Sequence, residues 1–181
     1  VGDKSSGKTF IATETTAANH YKYKDRFKWN YDDGERGFTF DTKKLYGIDI
    51  MNDKTLKSNQ IKEFDVNCKR FLKKRLTKPD QIGLYVIDSL DGLSDEEKEE
   101  RAEKRYKQAE AGKEIKDDGT FGMGTAKFLS QEFFRTKTGE FADKNASLII
   151  VSQVRENIGA GLFGKKTKRN GGKALDFYAH S

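Results

Sequence analysis

Apolar positions fall in short runs whose spacing changes several times along the chain. Thr9 to about Tyr23 reads as a helix, with Phe10, Ile11, Ala17 and Ala18 on its apolar face. Phe27 to Tyr31 alternates and reads as a strand. It runs into the turn Asp32-Asp33-Gly34-Glu35-Arg36-Gly37, which carries three carboxylates. Residues 39–46 read as a short helix ending before Gly47, and Ile48 to Met51 as a further short strand. Ser58 is placed as the N-cap of a helix to about Leu76, with Ile61, Phe64, Cys68, Phe71 and Leu72 at helical spacing. Its basic last turn, Lys73, Lys74 and Arg75, complements the helix dipole. After Pro79, Ile82 to Ile87 is a continuous apolar run, the pattern of a buried central strand, and it ends in Asp88-Ser89.

From Ser94 to Asp118 the pattern gives way to charges of mixed sign. This stretch, 94–118, reads as an insertion: a solvated helix or hairpin laced with i,i+4 pairs, or a partly disordered segment. Gly119 to Gly124 reads as a loop. A helix from Thr125 to about Thr136 follows, with Phe128, Leu129 and Phe133 facing inward, then a second buried strand from Leu148 to Ser152, ending at Gln153. Val154 to about Lys173 reads as a long loop, and 174–181 as the start of another helix or strand. Strands alternating with helices predict an α/β fold with a mostly parallel central sheet flanked by helices. Ligands of such sheets bind beyond the carboxyl ends of the strands. Asp33, Glu35, Asp88 and Gln153 all stand just past those ends.

Composition narrows the setting. With 181 residues there is length for one domain and a real core, but at 34% hydrophobic the 13 Phe and 7 Tyr must supply much of the burial. One cysteine, Cys68, excludes an internal disulfide, and two separated histidines argue against a structural zinc site. No stretch has the length of a membrane span and no signal-peptide pattern opens the chain, so a cytoplasmic, reducing setting without a membrane partner is expected. The net charge of +6 suits a polyanionic partner. Its distribution says more: the loop after Val154 carries Arg155, Lys165, Lys166, Lys168, Arg169 and Lys173 against one acid, Glu156, with five glycines. Those glycines let a backbone follow a phosphate chain, the cations displace counterions, and Phe163 can stack or wedge, all of which suits single-stranded nucleic acid. The bland alternative is a solvated loop with incidental charge.

The candidate chemistry starts at the first residues. Gly2-Asp3-Lys4-Ser5-Ser6-Gly7-Lys8-Thr9 fits the phosphate-loop pattern G-x-x-x-x-G-K-[ST]. The glycines let consecutive N–H groups turn inward on a phosphate chain, Lys8 brings a charge to the β/γ oxygens, and the Thr9 hydroxyl can take Mg2+. Only Val1 precedes the loop, so the reading expects a core cut from a longer protein. Asp88 ends an apolar strand some 80 residues on, where a Walker B aspartate orients magnesium; by itself it is an ordinary acidic strand end. Glu35 is a candidate general base for water attacking a γ-phosphate, a role for which Asp32 and Asp33 compete. Gln153, with donor and acceptor, suits a γ-phosphate sensor that signals to the basic loop behind it.

These residues, taken in order with Val86-Ile87-Asp88-Ser89-Leu90, Gln153-Val154-Arg155, Ile158-Gly159, Phe163-Gly164 and Gly171-Gly172-Lys173-Ala174-Leu175-Asp176-Phe177-Tyr178-Ala179, resemble the RecA family of strand-exchange recombinases. The resemblance covers most of the chain outside 94–118 and implies a RecA-type ATPase core over 1–181, truncated at both ends, of bacterial or phage origin. It implies ATP and Mg2+ as cofactors, Glu35 as the catalytic glutamate, and Gln153 as the γ-phosphate switch. Arg155 to Gly172 become a second DNA loop, Met123 a residue inserted between base groups of a first DNA loop with Lys127 near the backbone, and Phe177 part of the coupling. Two departures stand out. The adenine stretch reads Thr39-Phe40-Asp41-Thr42 without the usual proline and tyrosine, leaving Phe40 as a stacking substitute, and Asp176 replaces a common basic residue. The function this implies is an ATP-dependent recombinase that binds single- and double-stranded DNA and self-associates as a filament or ring. A hexameric helicase motor and a non-exchanging mediator are the alternatives.

Overall fold

The computed structural model describes residues 6–52, 54–94, 96–111, 123–156, 167–169 and 174–179. Its centre is a parallel sheet of β1 (Phe27–Asp32), β2 (Ile82–Ile87) and β3 (Ala146–Ile150), in the order β1-β2-β3. Register runs from Phe27 opposite Ile82 to Asp32 opposite Ile87, and from Gly83 opposite Ala146 to Ile87 opposite Ile150. All three strands therefore end in one row. The central place of β2 follows from its unbroken apolar run: Leu84 and Val86 enter the core on one face, Tyr85 and Ile87 the core on the other.

The first face is covered by α1 (Lys8–Tyr23), the second by α3 (Ile61–Lys74) together with the helical segment from Met123 to Asp143 and α7 (Ala174–Tyr178). That segment is α5 (Met123–Phe128), a wide π-helical turn over Leu129–Phe133, and α6 (Phe134–Asp143). Phe64, Phe71, Tyr85 and Phe133 meet in ring contacts at 4.9–5.8 Å, so aromatic residues do supply the core beneath α3. Gly83 is required here, because a Cβ would come within 2.6 Å of Leu76 Cδ1 and 2.8 Å of Ala146 Cβ.

Several local expectations need correction. The face α1 buries is Ala12, Thr13, Thr16 and Ala17, while Phe10 and Ile11 are 49% and 62% exposed. Small residues let the helix lie close to the sheet, and the threonine hydroxyls satisfy themselves on Thr9 and Ala12 carbonyls at 2.6 and 2.8 Å. The 39–46 helix shrinks to α2 (Thr42–Tyr46), capped by the Asp41 carboxylate on the Lys44 N–H. Ile48 to Met51 forms no strand: the Ile50 N–H goes to Thr42 Oγ1 and its carbonyl accepts from the Trp29 indole, which leaves no ladder to join. Ser58 does not cap α3. A Gln60–Glu63 capping box does, because Ser58 is taken by Asp32. Of the readings left open for 94–118, α4 (Glu96–Glu110) is a solvated helix, with Lys107 on Glu103 at 2.8 Å. Met123 and Gly124 begin α5 rather than lying in a loop. The stretch after Gln153 is not structureless throughout: β4 (Val154–Glu156) and β5 (Thr167–Arg169) pair antiparallel.

Candidate functional site

The row of strand ends gathers the predicted groups. Gly7 adopts φ 79° as the N-cap of α1, a conformation glycine takes without a Cβ penalty, and its carbonyl accepts the Ile11 N–H at 2.9 Å. Lys8 Nζ donates to Ser6 Oγ at 3.2 Å. Gly2, Asp3, Lys4 and Ser5 lie outside the described residues. Asp88, 8% exposed, extends the β1–β2 pairing through its N–H to the Asp32 carbonyl at 2.8 Å. Its Oδ2 accepts the Tyr31 hydroxyl at 2.7 Å. Burial first, then the charges of Asp33 and Glu35, hold the Asp88 carboxyl above its ordinary range, against the opposing influence of the Tyr31 and Thr9 hydroxyls. Tyr31 is pushed up too, chiefly by burial and by Asp88, so it stays a neutral donor.

The three carboxylates of the turn after β1 have separate fates. Asp32 points into the core, accepting Ser58 N–H at 2.8 Å, Ser58 Oγ at 2.5 Å and Tyr85 OH at 2.7 Å. Asp33 closes its own turn on the Gly37 and Phe38 N–H groups at 3.2 and 2.9 Å. Glu35 alone reaches out: its Oε1 accepts Gln153 Nε2 at 2.6 Å and a second hydrogen bond from Ser89 Oγ. Gln153 in turn is fixed by its backbone N–H on Asp91 Oδ2 at 2.7 Å.

Phe40 joins an aromatic path beside the start of α1: Tyr31 to Phe38 at 5.0 Å, Phe38 to Phe40 at 5.8 Å, Phe40 to Phe10 at 6.5 Å. Of the predicted nucleic-acid residues, Lys127 is exposed on α5 and Met123 opens that helix. Arg155 stands opposite Lys168, and Val154 opposite Arg169, in the β4–β5 register. Phe163, Lys165, Lys166, Gly171 and Gly172 lie outside the described residues. Phe177 is 79% exposed beside Tyr178. Sequence reasoning gave no role to Tyr31, Ser89 or Asp91, whose contacts leave no spacing signature. The phosphate-loop spacing, by contrast, pointed to Thr9, and the apolar run ending at Ile87 pointed to Asp88.

Fold and site define an α/β protein with a parallel central sheet and a cluster of polar side chains at the row of strand carboxyl ends. A family model described as the RecA N-terminal domain matches residues 1–181, and the chain belongs to the RecA family. Protein RecA of Mycoplasmopsis pulmonis is 32% identical over 184 residues, an alignment covering 98% of this chain and 45% of that protein. The chain thus spans under half the length of this curated relative. Among the described residues no helix is long and apolar enough to cross a membrane.

Proposed function

We propose that the chain is the nucleotide-hydrolysing core of an ATP-dependent DNA recombinase, which pairs single-stranded DNA with a homologous duplex and self-associates in its full-length form. The observation that carries this reading is the 2.6 Å contact of Gln153 with Glu35, 118 residues apart in sequence. It joins the one turn carboxylate free to act on a water to the residue that directly precedes the basic β4–β5 hairpin. Residues 2–9 would cradle the triphosphate, with Lys8 on the β/γ oxygens. A hydroxyl and a carboxylate, Thr9 and Asp88, are oxygen ligands of the kind Mg2+ accepts, and the Thr9 hydroxyl stands near enough to favour the charged Asp88; these two would hold the ion with the nucleotide's phosphates. Bound Mg2+ would supply charge neutralisation on those phosphates. Glu35 would accept a proton from the attacking water, and Gln153 would leave Glu35 for the γ-phosphate, passing that change to Val154 and the hairpin. Phe40 would offer a face to the base.

The test is hydrolysis and strand exchange by the full-length protein. Lys8→Ala should abolish turnover. Glu35→Gln should keep ATP binding and slow hydrolysis roughly 100-fold or more, as loss of a positioned base does. Undiminished turnover in Glu35→Gln would remove the assigned base. Closed rings that translocate without exchanging strands would redirect the reading to a helicase, and nucleotide binding without DNA-stimulated hydrolysis to a mediator.

A further inference from the structure

We propose that Asp91 is a positioning residue for the Glu35–Gln153 contact and, through it, couples nucleotide turnover to the hairpin that begins at Val154. This rests on the reading of Glu35 as base and Gln153 as sensor.

Beyond Ile87 and Ile150 the pairing of β2 with β3 continues for a short distance. The Val151 N–H goes to the Ile87 carbonyl and the Leu90 N–H to the Val151 carbonyl, both at 2.9 Å. There the β2 side turns away through Ser89–Gly92, and the Gln153 N–H donates to a side chain of that turn instead of a β2 carbonyl. Asp91 Oδ2 takes that place at 2.7 Å, as a rung made by a side chain. The next residue, Val154, opens β4. The same short turn also holds the other half of the contact, since Ser89 Oγ donates to Glu35. One turn therefore fixes both the base and the backbone of its sensor.

The carboxylate is a costly choice for a cap. Asp91 Oδ1 is buried and has no hydrogen-bond partner among the described residues, and an orphaned buried acceptor destabilises a fold. What the charge adds is a stronger grip on one N–H. With its N–H pinned on the side towards β3, a swing of the Gln153 side chain from Glu35 to a phosphate is taken up by the main chain on the Val154 side, so the displacement passes into β4.

The experiment measures ATP hydrolysis by the full-length protein with and without single-stranded DNA. Asp91→Ala should lower the stimulation by DNA roughly tenfold through kcat, with the KM for ATP little changed. Asp91→Asn keeps an acceptor oxygen and should restore most of it. An Ala variant that matches wild type, or an Asn variant as defective as Ala, overturns the proposal. Should Asp91→Ala fail to fold in a thermal melt, Asp91→Ser, whose hydroxyl is too short to keep the bond, replaces it under the same criteria. In a Gln153→Ala background, Asp91→Ala should cause no further loss of stimulation; an additive loss marks a merely structural role and also overturns the proposal. Full turnover in Glu35→Gln defeats the site reading itself. An inactive Glu35→Gln beside a wild-type-like Asp91→Ala defeats this inference alone.

Discussion

Asp32 brings a carboxylate into the core at the end of β1, where it is 0% exposed. It holds the Ser58 N–H, the Ser58 hydroxyl and the Tyr85 hydroxyl. Two residues earlier, Asn30 does the same for Leu56, exchanging hydrogen bonds with its N–H and carbonyl at 2.7 and 3.0 Å. Together they pin residues 56–58 against β1 as a strand would. Burial raises the Asp32 carboxyl above its ordinary value, against the hydrogen bonds from Ser58 and Tyr85. The folded state therefore binds this proton more tightly than the unfolded chain. The associated stability is complete below the unfolded carboxyl value of about 4 and declines as pH rises through the raised folded value. Asp32→Asn removes that titration and keeps an acceptor, since both hydroxyls can reorient. In urea melts its stability relative to wild type should improve from pH 4 to pH 7. Asp32→Ala orphans three donors and should cost about 2–4 kcal/mol at pH 7. A flat difference between wild type and Asp32→Asn across that range would contradict the raised carboxyl.

The elements were legible where local pattern and final environment agree. The run from Ile82 to Ile87 is a central strand in sequence and in structure, because burial on both faces demands continuous apolarity. The start of α3 was not legible at Ser58, since a carboxylate 26 positions earlier captures the local capping signal. Nor was the buried face of α1, where threonines that satisfy themselves stand in for apolar residues. At the site, the phosphate-loop spacing pointed to Thr9, and strand ends pointed to Glu35, Asp88 and Gln153. Asp91 was invisible because it holds a backbone N–H, which any residue but proline at 153 would present. The turn Ser89–Gly92 and the loop at Gly34 also approach in a way no local pattern announces. A Cβ on Gly92 would lie 2.6 Å from the Gly34 carbonyl carbon and 2.9 Å from Glu35 Cγ. Gly92→Ala should therefore push the two elements apart, lowering stability by about 1–3 kcal/mol and displacing Glu35, so that turnover falls along with the melting temperature. Gly139→Ala on α6, where a Cβ meets nothing within 4 Å, serves as the control and should stabilise by about 0.5–1 kcal/mol. Equal melting temperatures for the two variants would dissolve the claim of a close dock.

Across the whole molecule, charge is organised relative to the sheet. The carboxylates Asp33, Glu35, Asp88 and Asp91 stand at the strand ends, and just beyond Gln153 the β4–β5 register sets Arg155 opposite Lys168 and Val154 opposite Arg169. Like charges at opposed positions weaken an antiparallel pair, so the hairpin gains most when something anionic lies along it. A phosphate chain would offset that repulsion, and its binding would then feed back on Gln153 through a single intervening peptide bond. The molecule would read as two polyanion sites back to back, one for a nucleotide and one for DNA, with the 2.6 Å Gln153–Glu35 contact between them. This arrangement makes a quantitative demand. Each single-strand phosphate neutralised lowers the salt exponent of binding by about 0.7. Replacing Lys165, Lys166, Lys168 and Arg169 together by alanine should weaken single-stranded DNA binding by the full-length protein and reduce the slope of log K against log salt by up to about 3. The loss should be similar for DNA of different sequence, because phosphate contacts position the chain without reading bases. Measuring the titrations with and without ATP adds a second demand: the difference that ATP makes to DNA affinity should shrink in the variant, since two sites coupled by one contact must influence each other reciprocally. An unchanged slope would place the DNA surface elsewhere. A reduced slope with the ATP effect intact would leave the hairpin as a DNA site but break its link to Gln153.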